Sequence, residues 1–176
     1  YQHLAPSPPG TVNEELVSFV DFPVTALNLA GLAKPDYMQG RRFLGRNRDP
    51  ARAYVYGCRD RVDEVFECAR SLRSRKYLYI RNYHPYLSHN QPSVFSDLGA
   101  ARQEISRLAR ESPQKLNKVQ MDYAGPDKPA EAFYDCDSDP HNLVNLLEGT
   151  MTAEQQEALQ KHRRAYESCL LYTSDA

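Results

Sequence analysis

Apolar and polar positions along the chain lay out a short series of elements. Residues 14–31 read as an extended lead-in followed by a helix. Asp21 suits its N-cap, Pro23 its first turn, and Ala26, Leu27, Leu29 and Ala30 its body, with Gly31 at the C′ position. Lys34 to Pro50, rich in Arg, Gly and Pro, reads as loop. Ala53 to Tyr56 is a short β-like run. Val65 to Leu72 and Tyr77 to Asn82 follow as the two strands of a hairpin. In the second strand Tyr77, Tyr79 and Arg81 share one face, and Leu78 and Ile80 the other. The turn around Ser74 and Arg75 lacks the Asn-Gly chemistry of the tightest hairpins.

After a loop from Tyr83 to Ser96, with two histidines and two prolines, Asp97 to Glu111 has the helical period, with Ile105 and Leu108 inward. A polar loop is expected through Pro129, then a strand ending at Phe133 and Tyr134. Asp139 and Pro140 suit an N-cap and first helical position, ahead of a stripe of Leu143, Leu146 and Leu147. Thr152 and Gln155 form a capping box for the last helix, whose face repeats at Leu159, Tyr166 and Leu170. The pattern predicts a small antiparallel sheet with helices packed on it.

The stretch FYDCDSDPHNLVNLL places Asp135, Asp137 and Asp139 at alternate positions, like the start of a calcium loop. Such a loop needs Gly at its sixth position and a bidentate Glu at its twelfth. Here those positions hold Pro140 and Leu146, which supply neither the turn nor a ligand. The plainer expectation is a strand running into a turn and a helix.

Composition fits a folded domain: 176 residues, 41% hydrophobic and 26% charged. No apolar run approaches the roughly 20 residues of a membrane span. Tyr1 to Gly10 is polar and proline-rich, without the basic and apolar regions of a signal peptide. The first residue is Tyr rather than Met, as expected of a segment of something longer.

The net charge of −1 is unevenly spread. Between Arg41 and Arg81 there are 12 Lys plus Arg against 5 Asp plus Glu, a net +7, and the remainder carries −8. Such a segment suits phosphate, sulfate, nucleic acid or a sulfated glycan. The bland alternative is a solvated face balanced by the acidic remainder. Cys58, Cys68, Cys136 and Cys169 are widely spaced, with no C-x-x-C pair to suggest zinc or thioredoxin chemistry.

Three stretches together resemble the type I sulfatases, of the alkaline-phosphatase-like superfamily. LVSFVDFPVTALNLAG is similar to the segment that closes their large α/β domain. YVYGCRDRVDEVFECARSLRSRKYLYIRNYHP resembles the start of their C-terminal subdomain, and PAEAFYDCDSDPHNLVNLL resembles its end. They occur in the family's order across most of residues 11–148. Pro23 lies one place before the family's usual Pro, and Asn142 stands where a Glu often completes the cap.

The resemblance implies an α/β parent, with residues 1–50 ending its large domain, 51–170 forming an α+β subdomain, and 171–176 a tail that fits no family pattern. The parent would hydrolyse sulfate esters or sulfamates on a carbohydrate or small aromatic, in the periplasm or after secretion. Its partner would be a catalytic N-terminal part of the same protein, and neither membrane nor nucleic acid is expected. The family's formylglycine nucleophile arises within C/S-x-P-x-R. Ser7-Pro8-Pro9-Gly10-Thr11 and Ser138-Asp139-Pro140-His141-Asn142 approach that motif but lack its Arg. The calcium-holding aspartates belong to an earlier region of the family's sequence. No catalytic or metal-ligating residue is therefore expected in this chain.

Substrate contact is another matter. Arg59, Asp60 and Arg61, with Asp63, form a dense charged cluster, expected in a loop beside a strand end. Arg61 could meet a sulfate or carboxylate bidentately, with Asp60 bonding a sugar hydroxyl. A salt-bridged turn is the alternative. His84 is a fourth substrate-binding candidate; His84 and His89 flank Pro85 in their loop, where surface histidines without a role are common. Tyr77, Tyr79 and Tyr83 could stack on sugar rings or simply pack. Against the sulfatase reading stands a stand-alone module that binds an anionic polymer.

Overall fold

The computed structural model describes Pro8 and residues 10–174, with side chains through Cys169. Residues 175–176, the side chains of 170–174, and Ser7 and Pro9 of the Ser7–Thr11 near-motif lie outside the described residues. The chain divides into two compact units. One comprises Tyr1–Tyr56 with Arg73–Arg75, and the other Gly57–Leu72 with Lys76–Ala176.

The first unit is built on helix α1, Asp21–Leu29. Asp21 is its first residue rather than its N-cap, because its carboxylate is needed elsewhere. It accepts the backbone N–H of Ser18 at 2.8 Å and of Arg41 at 2.7 Å, and Nε of Arg52 at 2.9 Å. The helix ends as its sequence predicts. Gly31 takes φ +76°, Leu32 N–H donates to Leu27 C=O at 2.9 Å, and Gly31 N–H to Asn28 C=O at 3.2 Å. The arginine-rich loop that follows is pinned to this helix. Asn28 Nδ2 donates to Leu44 C=O at 2.7 Å, and Phe43 N–H to Thr25 Oγ1 at 3.2 Å. Arg42 and Asp49 clasp its second half side chain to side chain.

A four-stranded sheet in the order β1-β2-β3-β4 runs Val55–Val62, Val65–Arg73, Tyr77–Asn82 and Glu131–Asp135. Strands β2 and β3 are the predicted pair. Strand β4 lies antiparallel to β3, with Tyr77 opposite Asp135 and Tyr79 opposite Phe133. The alternation of β3 is realised: Tyr77 and Tyr79 are buried, while Leu78 and Ile80 are half-buried. Strand β1 runs further than the short run from Ala53 to Tyr56, carrying Arg59, Asp60 and Arg61 within it. As an edge strand it is exposed from Tyr56 to Val62, so no burial imposed an apolar period. Its turn to β2 passes through Asp63 at φ +50°.

Helix α2, Ala100–Glu111, follows a 3₁₀ turn at Ser96–Leu98, as its period predicts. The polar segment expected as loop contains helix α3, Lys118–Ala124. A reciprocal capping box, Asn117 with Gln120, starts it. The helix expected after Asp139 is absent. Asn142 sits at φ +53°, which ends helical propagation, and Asp139 accepts Val144 N–H at 2.8 Å from an extended segment. A 3₁₀ turn at Leu146–Glu148 follows.

Helix α4, Ala153–Ser174, opens with the Thr152–Gln155 capping box. It packs Leu159, His162 and Tyr166 on the sheet. The His162 ring meets Phe133 edge-on at 5.4 Å, Tyr166 meets Tyr79 at 5.5 Å, and Tyr77 stacks on Phe133 at 5.0 Å. This aromatic layer is the core of the second unit.

Candidate functional site

The four residues singled out from the sequence lie in the second unit, Arg59, Asp60 and Arg61 consecutive on β1 and His84 in the loop after β3. Asp60 receives Arg70 Nη1 at 2.6 Å from the neighbouring strand. Arg61 Nε donates to the backbone carbonyl of Asp63 at 2.6 Å, closing its own turn. They sit on a strand, not in the strand-end loop expected of them, because the β1–β2 ladder continues through the charged residues. Arg59 is exposed and makes no ion pair among the described residues. His84 lies in the loop after β3. Its ring lies 5.1 Å from that of Phe66, and its Nδ1 is 3.0 Å from the Tyr86 hydroxyl. The tyrosines divide: Tyr77 and Tyr79 are core, while Tyr83 bonds the Tyr166 hydroxyl at 2.7 Å.

A cleft of about 670 Å³ lies between α3 and the segment after β4. Val119, Tyr134 and Leu143 give it apolar walls, and Asp122, Glu148 and His89 line it with polar groups. Burial raises the Tyr134 hydroxyl above its usual range, and Glu148, Asp122 and Asp139 add to the rise. His89, exposed over the residue as a whole, has its imidazole held below the usual range, first by local desolvation and then by Lys128. Behind the cleft, Lys128 pairs with Glu67 of β2, with side chains 0% and 5% exposed. The sequence pattern missed this pair. A glutamate flanked by Val65, Phe66 and Cys68 in a strand was its one signal.

The three alternating aspartates do not fit a calcium site. Asp135 accepts the N–H of Asp137 at 3.1 Å and of Ser138 at 3.4 Å, and Asp139 is engaged by Val144. The oxygens of Asp135 and Asp139 build the turn, and no group of three metal-ligating side chains occurs among the described residues. The basic segment is largely neutralised in place. Among the described residues seven of its twelve cations are seen in ion pairs, including Arg42 with Asp49, Arg70 with Asp60 and Lys76 with Glu154. No described helix is long and apolar enough to cross a membrane.

No family model matches the chain. It is 38% identical over 136 residues to an ulvan-active sulfatase of Formosa agariphila, an alignment covering 77% of this chain and 22% of that protein. Its fold matches a 2-O GAG sulfatase, with TM-score 0.51 and 18% identity over 88% of this chain and 25% of that one. It also matches a structure solved in complex with its substrate D-glucosamine-2-N,6-O-disulfate, with TM-score 0.50 and 15% identity over 88% of this chain and 24% of that one. The chain thus spans about a quarter of the length of these proteins. Sheet, helices and sequence agree: the chain belongs to the sulfatase family, with the fold of its C-terminal α+β subdomain.

Proposed function

We propose that this chain is the C-terminal part of a sulfatase that hydrolyses sulfate esters or sulfamates on a carbohydrate. The observation that carries the reading is the 38% identity to an ulvan-active sulfatase, across 136 residues that make up 22% of that protein. A formylglycine nucleophile and a bound calcium would be supplied by sequence outside these residues. The part described here would complete the substrate site from one face of β1, with Arg59 and Arg61 offering charge to sulfate or carboxylate groups and His84 at the margin, while Asp60 points to the other face, where Arg70 holds it. By itself it would be inactive. The rival reading, a stand-alone module for an anionic polymer, is disfavoured by the internal pairing of seven of the twelve cations.

The test is sulfate release from sulfated polysaccharide and aryl sulfates, with calcium and a formylglycine-generating enzyme supplied. The 176-residue chain should stay at background, and a longer polypeptide that adds an upstream C/S-x-P-x-R region should turn over. Activity in the short chain that a point mutation within it abolishes would overturn the reading.

A further inference from the structure

The turn at residues 93–98, just ahead of α2, is tied down from two sides. Asp97 accepts Ser93 N–H at 3.1 Å and Arg102 Nε at 2.7 Å, and its own N–H donates to Ser93 C=O at 2.8 Å. Gln103 Nε2 donates to Asp97 C=O at 2.7 Å, so α2 grips the turn through two side chains. From the other side, Val94 N–H donates to a carboxylate oxygen of Glu64 in the β1–β2 turn. Ser93, between these anchors, is buried.

What this turn presents outward is apolar. Val94, Phe95 and Leu98 are 82%, 78% and 75% exposed. Leu98 N–H donates to Phe95 C=O at 3.3 Å, closing the 3₁₀ turn at Ser96–Leu98. Three residues per turn set the side chains of Phe95 and Leu98 on one side, with Val94 next to them. The polar groups hold the backbone, and the apolar groups stand in water.

Two consequences follow for a partner. A turn already fixed by its own hydrogen bonds loses little freedom when it docks, so its apolar area converts efficiently into affinity. And the three side chains cannot be withdrawn without breaking those bonds. Apolar groups displayed permanently suit a partner that is permanently there, because lasting interfaces are the more hydrophobic ones. The length of the relatives supplies such a partner. These residues correspond to 22% of the ulvan-active sulfatase they match, which leaves most of that polypeptide outside them.

We propose that Val94, Phe95 and Leu98 form a knob that seats in an apolar pocket on the preceding part of the same polypeptide and fixes the second unit to it. The choice of occupant rests on the reading of this chain as one part of a longer sulfatase.

Hydroxyl-radical footprinting, read by mass spectrometry, compares the 176-residue chain with the longer polypeptide that adds the upstream C/S-x-P-x-R region. Phe95 and Leu98 should be modified rapidly in the short chain and at least tenfold more slowly in the long one. Equal rates would overturn the proposal. So would protection already present in a short chain of doubled mass, which would give the knob to a second copy. The double variant Phe95→Ser, Leu98→Ser should leave the Tm of the short chain within about 2 °C, because both side chains already stand in water. It should lower the Tm of the long polypeptide by about 5 °C or more. An equal fall in both would make the two residues part of the turn's own structure and overturn the docking. Sulfate release from the same long polypeptide separates this inference from the proposed function: a protected knob without turnover supports the docking and removes the activity, and turnover with an unprotected knob does the reverse.

Discussion

Lys128, just ahead of β4, pairs with Glu67 on β2 where neither side chain meets solvent. The pair links residues 61 apart in sequence. Two charges taken out of water together are tolerable; one alone is not. Lys128→Met should therefore destabilise the second unit by about 3–5 kcal/mol, and Glu67→Leu by a similar amount. The double variant should recover most of the loss, because two apolar side chains of similar size leave no charge behind. Urea denaturation of the two single variants and the double variant gives the cycle, and additive losses would refute the coupling.

Asp21 makes the first unit acid-sensitive. Burial pushes its carboxyl up, but the hydrogen bonds from Arg52 and from the backbone of Arg41 and Ser18 outweigh burial and bring it down to about 2. An unfolded Asp titrates near pH 4, so the folded pKa is the lower one. The stabilisation, on the order of 2–3 kcal/mol, is complete above about pH 4 and is lost as pH falls through about 2. Asp21→Asn should lower stability at pH 7 and flatten its pH dependence between 4 and 2. Melts of both proteins at pH 7, 4 and 2.5 measure the difference, and parallel curves would assign the acid sensitivity to other carboxylates.

Arg61→Ala separates recognition from structure. On the proposed function, a longer active sulfatase carrying this change should lose about 1.5–3 kcal/mol of transition-state binding. That is about a tenfold to hundredfold fall in kcat/KM. Stability should change little, since the side chain is exposed and its described bond is to its own turn, at Asp63. Lowered Tm with ordinary kinetics would make Arg61 a turn residue only.

Helix α3 is short, and its start depends on Asn117. Asn117→Ala removes the acceptor for Gln120 N–H and should cost about 1 kcal/mol. The loss should be local. Amide exchange in residues 118–124 should accelerate well before exchange in β3, and uniform acceleration would count against a local cap.

Local chemistry determined much of this chain. The 2-residue period of Tyr77 to Asn82, the Thr152–Gln155 box and Gly31 after α1 each express a rule that operates within a few residues, and all three appear as read. The charged run from Arg59 to Arg61 was equally plain as chemistry. Its setting was not, because an edge strand exposed on both faces needs no apolar alternation, and pairing with β2 alone made it a strand. The Asn117–Gln120 box was present in the sequence but hidden in a polar stretch without an apolar stripe. Beyond Asp139, Pro140 and three leucines favoured a helix, yet the left-handed Asn142 turned the chain to extended backbone. Partnerships were the least legible. Asp60 with Arg70, Lys128 with Glu67, and His162 against Phe133 join residues brought close only by strand pairing and helix packing. Sequence supplies the charge and shape of each partner, and the tertiary fold sets the distance on which their interaction depends.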